Sequence, residues 1–522
     1  MRLALLVCLF SLVATAACAT GPRRPDADEY PRVASYAISQ NEKTSLGNAL
    51  SGEVRKHKGE SGFVYVPDGE KSLRVRMAMV NAAEKTLDLQ YYSMHDDPAG
   101  NLVLEAILRA AERGVRVRFL IDNIDFSDVE QSLSVLDSNN NIQVRVFNPI
   151  STRDQGLIGR INGLIVDFDK AVKRMHNKAL ISDNQLAIVG GRNIGDEYFD
   201  ARPDGNFKDT DLVTAGPITA RISASFDKYW NSDEAFPIHA LRYSKFKPKD
   251  VAELRSQMKA KWEERMGTEE GRELLHTQLA DRLKSKNYEL IWAPAELSVD
   301  DPEKIDKEAD VSLSKPLNKL IQLGQQTNKE FVAISAYFVP REDGLALIKR
   351  MRDRGVTVRI LTNSLASTDV VAVHTGYKRY RKDLVDMGVD LYEYKTGEEG
   401  RGGQRLFGSG SPPEASMHSK VFVMDQETVV IGSYNLDPRS TEQNTELAVI
   451  VHSPELAKLV LNDFEESASP QQSYKITAQD NALLWVTEEC GKQVVYKREP
   501  DAGFLRNTEV MLFSRLPIED QL

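Results

Sequence analysis

Apolar residues recur along this chain in two alternating registers, every second position in short runs and every third or fourth in longer ones. Thr86 to Tyr92 has the period of a strand, Leu102 to Glu112 that of a helix, and Arg113-Gly114-Val115-Arg116-Val117-Arg118-Phe119-Leu120-Ile121 restarts a strand after a glycine. These periods follow from side chains alternating across a strand and gathering on one face of a helix. The same order returns at Phe331 to Phe338, Leu345 to Arg352 and Arg354-Gly355-Val356-Thr357-Val358-Arg359-Ile360-Leu361-Thr362, with the Arg-Gly-Val segments offset by 241 residues. Met175-His176-Asn177-Lys178 and Met417-His418-Ser419-Lys420 are offset by 242. Unrelated strand-helix-strand units would not hold this register, so the pattern predicts a duplication into two pseudo-equivalent α/β halves.

The halves are expected at residues 66–240 and 311–470. Lys249 to Lys286, rich in Glu, Lys, Arg, Ala and Leu, predicts one or two exposed helices in a linker spanning 241–310. Glu29 to Gly62 is polar and reads as a tether within 19–65, and 471–522 is a C-terminal extension.

Each half carries the same chemistry. The first has His176, Lys178, Asp183 and Gly190-Gly191-Arg192-Asn193; the second has His418, Lys420, Asp425 and Gly432-Ser433-Tyr434-Asn435. On a strand, His and Lys two apart point to one face. Asp183-Asn184 and Asp425-Gln426 then turn the chain into a second strand that returns Asn193 and Asn435 beside the histidines. Breaking a phosphodiester needs a nucleophile at phosphorus, an acid for the leaving oxygen and fixed donors for the remaining oxygens. Two His-Lys-Asn sets supply these with neither metal nor cofactor. One histidine attacks, the other protonates the leaving alcohol, and the mechanism is ping-pong. An attacking imidazole needs a carboxylate on its other nitrogen; the matching segments Thr210-Asp211-Leu212 and Thr445-Glu446-Leu447 nominate Asp211 and Glu446.

The paired H-x-K-x4-D motifs with trailing G-[GS]-x-x-N resemble the phospholipase D superfamily from about Ser72 to Pro454. The resemblance implies two pseudo-symmetric domains, each a mixed β-sheet flanked by helices, with one active site at their interface. It casts His176 as nucleophile, His418 as acid/base, and Asp183 and Asp425 as structural supports. Gly191 departs from the pattern: Ser433 stands at the equivalent place, and a hydroxyl there commonly lines the site.

Leu361 to Val370, His374-Thr375-Gly376-Tyr377, Arg381, Tyr337-Phe338-Val339-Pro340, Gly190 to Phe199 and Leu516-Pro517-Ile518-Glu519 are similar to bacterial cardiolipin synthases of that superfamily. This implies transfer of a phosphatidyl group to phosphatidylglycerol, with phosphatidylglycerol or phosphatidylethanolamine as donor. Hydrolysis by a phospholipase D or other phosphodiesterase, and a non-catalytic membrane-binding role, are the alternatives; no His, Lys or Asn is damaged as the last would require. His374, Tyr377 and Arg381 have helical spacing, so their face either meets a headgroup or packs on the second half. Tyr434 and Arg192 divide in the same way between pocket lining and packing, and Ser433 is expected to touch substrate.

Composition narrows the partners. At 41% hydrophobic and 28% charged, the 522 residues can build large cores, while a net charge of -10 opposes a dedicated nucleic-acid binder. Three cysteines, Cys8, Cys18 and Cys490, exclude a disulfide framework. Arg2 precedes a mostly apolar run of 17 residues, Leu3 to Ala19, which has the length of an export-signal core. Thr15-Ala16-Ala17-Cys18 resembles a bacterial lipobox, implying a lipoprotein-type signal peptide over residues 1–18 cleaved before a lipidated Cys18, and residence in the bacterial cell envelope at a membrane surface that Ala19 does not specify.

Overall fold

The computed structural model describes residues 30–40, 43–124, 126–149, 172–203, 205–241, 248–269, 289–396 and 415–514. The leader with Cys18, much of the linker after residue 269, and Leu516 to Glu519 lie outside them.

The first half forms strands β1 (Ser61–Val66), β2 (Thr86–Tyr91), β3 (Arg116–Asp122), β4 (Ile142–Phe147), β5 (Ala179–Ser182), β6 (Leu186–Gly190), β7 (Asn206–Lys208), β8 (Asp211–Ala215), β9 (Ala235–Pro237) and β10 (Ile291–Ala293). The second forms β11 (Ala295–Val299), β12 (Glu330–Ser335), β13 (Thr357–Asn363), β14 (Asp390–Tyr394), β15 (Ala415–Met417), β16 (Lys420–Met424), β17 (Thr428–Gly432), β18 (Leu447–His452), β19 (Ser473–Gln479), β20 (Ala482–Glu489) and β21 (Lys492–Tyr496). The sheets run β10-β1-β8-β6-β5-β2-β3-β4-β9 and β11-β18-β17-β16-β12-β13-β14-β19-β20-β21. Seven consecutive positions are common to both, from β1 and β11 through β4 and β14. Within them, β2-β3-β4 and β12-β13-β14 are parallel, and the His-x-Lys hairpins, β5-β6 and β16-β17, join antiparallel.

The repeated helices form because each presents an apolar stripe. Pro98–Glu112 starts at Asp97, whose carboxylate caps Gly100 N, and buries Leu102, Val103, Ala106, Ile107 and Ala110. Pro217–Trp230 and Pro454–Ser467 occupy equivalent places and bury Ile222, Phe226, Trp230, Val460 and Phe464 in one cluster that also holds side chains of both sheets. That central core, with an outer core on each half, makes one body. Polar ties cross the same interface: the Tyr65 hydroxyl and Lys208 Nζ both reach Asp463 at 3.0 Å.

Three segments outside the repeat are built into the two halves. The polar stretch before residue 65 is built into the first half, with helix Ser45–Lys56 burying Leu46 and Leu50 and β1 pairing β8. The linker helix Pro248–Gly267 buries Met258 and packs Val251, Leu254, Trp262 and Met266 against the first core; β10 and β11 then pass the chain from one sheet to the other. The C-terminal extension adds β19, β20 and β21 to the second sheet.

Candidate active site

The backbone leading into each His-x-Lys motif is gripped by the end of a parallel strand of its own half. Met175 N donates to Asp122 Oδ2 at 2.9 Å, and Met417 N to Asn363 Oδ1 at 2.9 Å. Each segment is also paired across the interface. His176 N donates to Thr445 O at 2.9 Å, His418 N to Lys208 O at 2.8 Å, and β15 runs parallel to β7. Backbone bonds between the halves thus position both histidines.

The imidazole partners cross in the same way. His176 Nδ1 lies 3.0 Å from both carboxylate oxygens of Glu446, on the other half. His418 Nδ1 lies 2.6 Å from Asp209 Oδ2. Asp211, nominated from the sequence, touches neither histidine. It is fully buried, 2.9 Å from Arg76 Nη1, 3.2 Å from Arg192 Nη1 and 2.6 Å from Ser72 Oγ, and ties helix Gly69–Ala82 to the sheet.

Sheet register explains the correction. Gly190 pairs with Asp211, and the equivalent Gly432 pairs with Ala448, so Glu446 corresponds to Asp209. Because the chain between Asn193 and the acid is five residues longer in the first half, matching Thr-acid-Leu by eye selects the wrong aspartate. Gly191 belongs to the same arrangement. A Cβ there would lie 2.3 Å from Asp209 Oδ1, so the shorter acid occupies the space of the missing side chain. In the second half Ser433 fits, and its hydroxyl donates to Glu446. Ser433 therefore acts on the acid that holds His176.

Asp183 and Asp425 do not face the reaction. Each sits at positive φ (53°) at the hairpin tip, followed by a second left-handed residue, Asn184 or Gln426. The Asp183 carboxylate accepts from the amides of Glu84, Lys85 and Thr86; that of Asp425 accepts from those of Asn328, Lys329 and Glu330.

His176 and His418 are 8% and 5% exposed, Lys178 and Lys420 1% each, and Asn193 and Asn435 2% each. The lysine Nζ atoms return to the carbonyls of His176 (2.7 Å) and His418. Asn193 Nδ2 donates to the Tyr198 hydroxyl at 3.0 Å, and the Oδ1 atoms of Asn193 and Asn435 are buried without a partner among the described residues. Buried unsatisfied polar atoms at one place call for a ligand to complete them. Tyr198 and Phe207 flank the His418 ring, with centroids 5.4 and 5.2 Å away, and Tyr92 meets the His176 ring edge-on at 4.9 Å.

Electrostatics separates the two histidines. Burial, then the charges of Lys178, Lys420 and His418, presses His176 well below its ordinary value. Burial and Lys420 also lower His418, less far, against the pull of Asp209. Burial pushes Glu446 up to about 7 and brings Lys178 down to about 7. Burial opposes ionisation of Asp209 too, but His418, Lys420 and Arg192 outweigh it and hold that carboxyl below the usual range.

Four residues nominated for substrate contact, Arg192, Tyr434, Tyr377 and His374, are instead structural. Arg192 is buried, donating to the carbonyls of Tyr198, Val66, Pro67 and Asp209. Tyr434 sits in the outer core of the second half, its hydroxyl 2.9 Å from Thr441 Oγ1. Tyr377 is 2% exposed and donates to Glu393 Oε1 at 2.9 Å. His374, 3% exposed, belongs with it to a buried polar cluster: Nε2 is 2.9 Å from Arg381 Nη2 and 3.5 Å from Glu499 of the C-terminal extension. The helix Val371–Asp386 thus uses this face to bind the rest of its own half. Sequence reasoning also missed Asp300, whose Oδ2 accepts Glu446 N at 3.1 Å and Lys304 Nζ at 2.8 Å. No repeat partner points to it, since it lies in the crossover between the sheets.

A family model described as "Cardiolipin synthase, PLD-like domain" matches residues 77–230 and 320–468. The chain is 35% identical over 475 residues to "Cardiolipin synthase C" of Escherichia coli (strain K12), covering 91% of this chain and 99% of that protein. It is 26% identical over 434 residues to "Cardiolipin synthase A" of Pseudomonas entomophila (strain L48), covering 82% of this chain and 72% of that one. Among solved structures, the phosphatidylserine synthase of Haemophilus influenzae Rd KW20 superposes with a TM-score of 0.57 at 13% identity, over 92% of this chain and 100% of its own, a likeness of fold alone. With both halves matched and a relative aligned nearly end to end, the chain belongs to the phospholipase D superfamily and is a cardiolipin synthase-like enzyme.

Proposed function

We propose that this enzyme makes cardiolipin by moving a phosphatidyl group from phosphatidylglycerol or phosphatidylethanolamine to the headgroup hydroxyl of phosphatidylglycerol. The observation that carries this reading is the crossed pairing of each histidine with a carboxylate of the other half. With Nδ1 engaged, each imidazole has Nε2 left for chemistry.

His176, the more strongly neutralised, attacks phosphorus through Nε2 while its Nδ1–H is held by Glu446. The P–O bond to the leaving alcohol breaks, and His418, polarised by Asp209, gives that oxygen its proton. Lys178, Lys420, Asn193 and Asn435 hold the phosphoryl oxygens. In the second half-reaction His418 removes the proton of the acceptor hydroxyl, the new P–O bond forms and the P–Nε2 bond breaks. The residues invoked balance the proton and phosphoryl group without a cofactor.

Among the described residues no helix is long and apolar enough to cross a membrane. The lipobox-like Thr15-Ala16-Ala17-Cys18 supports acyl anchoring at the envelope through Cys18, which would bring the site to lipid. Cys18→Ser is then expected to abolish acyl labelling; unchanged labelling removes the anchor.

The test of activity is purified protein on phosphatidylglycerol vesicles, with and without phosphatidylethanolamine, followed by separation of the lipids. Cardiolipin is expected, and phosphatidic acid alone would establish a hydrolase instead. His176→Ala and His418→Ala are each expected to be inactive.

A further inference from the structure

Beyond the equivalent Asn193 and Asn435 the two halves diverge: four residues on stand Glu197 in the first and Arg439 in the second. Glu197 is engaged: its Oε1 lies 2.8 Å from His95 Nδ1. Arg439 is less completely engaged. It is half-buried, its Nε is buried without a hydrogen-bond partner among the described residues, and its charge is felt at the buried carboxylate of Asp437. A guanidinium N–H buried without an acceptor points to an acceptor supplied from outside.

Its location is that of the site. Arg439 opens a π-helical turn, Arg439–Gln443, a local form frequent at functional sites because it redirects side chains out of regular register. The next residue, Ser440, bonds through its side chain to Glu446, the carboxylate that holds His176, and the charge of Arg439 is felt at His176. Arg439 is therefore at the nucleophile's end, whereas Tyr198 and Phe207 wall the His418 ring.

The chemistry of the proposed reaction supplies an anion. When phosphatidylglycerol attacks the phosphohistidine, the acceptor brings its own phosphodiester, three carbons from the attacking hydroxyl. Lys178 and Lys420 are already committed to the phosphoryl group being transferred. Water or a neutral alcohol brings no second charge. We propose that Arg439 binds the phosphate of the acceptor lipid and so selects an anionic lipid acceptor over water. Its planar fork matches two phosphate oxygens at once, which a lysine ammonium does not. This inference rests on the transferase reading above.

The test compares acceptors on one donor. Purified wild-type, Arg439→Gln and Arg439→Lys proteins receive labelled phosphatidylethanolamine with either phosphatidylglycerol or glycerol as acceptor, and cardiolipin, phosphatidylglycerol and phosphatidic acid are separated. The expected result is a fall of at least tenfold in the ratio of transfer to phosphatidylglycerol over transfer to glycerol for Arg439→Gln. A raised KM for phosphatidylglycerol and partial restoration in Arg439→Lys should accompany it. Equal loss toward both acceptors would assign Arg439 to the reacting phosphoryl or to folding, and an unchanged ratio would leave it no role; either overturns the proposal while sparing the transferase reading. Wild-type protein that yields only phosphatidic acid with every acceptor overturns both.

Discussion

Asp209 and Asp211 lie two residues apart, both fully buried, and the structure gives them opposite duties. Asn at 209 keeps an acceptor 2.6 Å from His418 Nδ1 but removes the charge that stabilises the imidazolium formed during proton transfer. The comparable change in the catalytic triad of a serine protease costs about 10⁴ in kcat, and at ~1.4 kcal/mol per tenfold this is ~5 kcal/mol of barrier. A fall of roughly 10³ to 10⁴ in kcat is expected for Asp209→Asn. Asp211→Asn should act on folding. Its carboxylate neutralises Arg76 and touches Arg192, both 1% exposed, and removing one member of a buried ion pair costs about 3–5 kcal/mol. Denaturant titration followed by circular dichroism, beside lipid-product assays normalised to folded protein, separates the two. Asp209→Asn should unfold near the wild-type midpoint yet be almost inactive; Asp211→Asn should unfold much earlier, with the folded fraction active. A folded, inactive Asp211→Asn alongside an active Asp209→Asn would refute the register argument.

Gly191→Ser, although it copies Ser433, should displace the Asp209 carboxylate and reduce kcat at least a hundredfold with little change in melting temperature, because its Cβ would lie 2.3 Å from Asp209 Oδ1; wild-type turnover would contradict that contact. Lys178, brought down to about 7, loses its charge as pH rises through neutrality, and Glu446, raised to about 7, loses its charge as pH falls through the same range. The pH profile of kcat/KM should therefore be bell-shaped about neutrality, and Lys178→Arg should move its alkaline limb upward; an unmoved limb assigns it to another group. Asp183→Ala strips acceptors from the amides of Glu84, Lys85 and Thr86, and should lower stability by about 3 kcal/mol in denaturant titration while leaving kcat of folded protein within a few-fold. His374→Ala should likewise lower the melting temperature without altering the choice between phosphatidylethanolamine and phosphatidylglycerol as donor; altered choice would restore it to the headgroup site.

What the sequence determined by itself was everything carried by local period and repeat spacing. A two-residue alternation sets which way His176 and Lys178 point, a three-to-four spacing sets the helices, and the offset of 242 equates the two motifs. Asp183 and Asp425 were legible as turn residues because a left-handed hairpin tip favours such side chains. Only the tertiary structure decided which carboxylate serves which histidine, since that depends on strands hydrogen-bonded across the interface and on a five-residue difference in loop length that spacing alone cannot align. It also decided which face of Val371–Asp386 is buried, because Glu393 and Glu499, which take up Tyr377, Arg381 and His374, come from distant segments. A period records the surroundings of a side chain relative to its own element; its partner on another element is chosen only when the two halves pack.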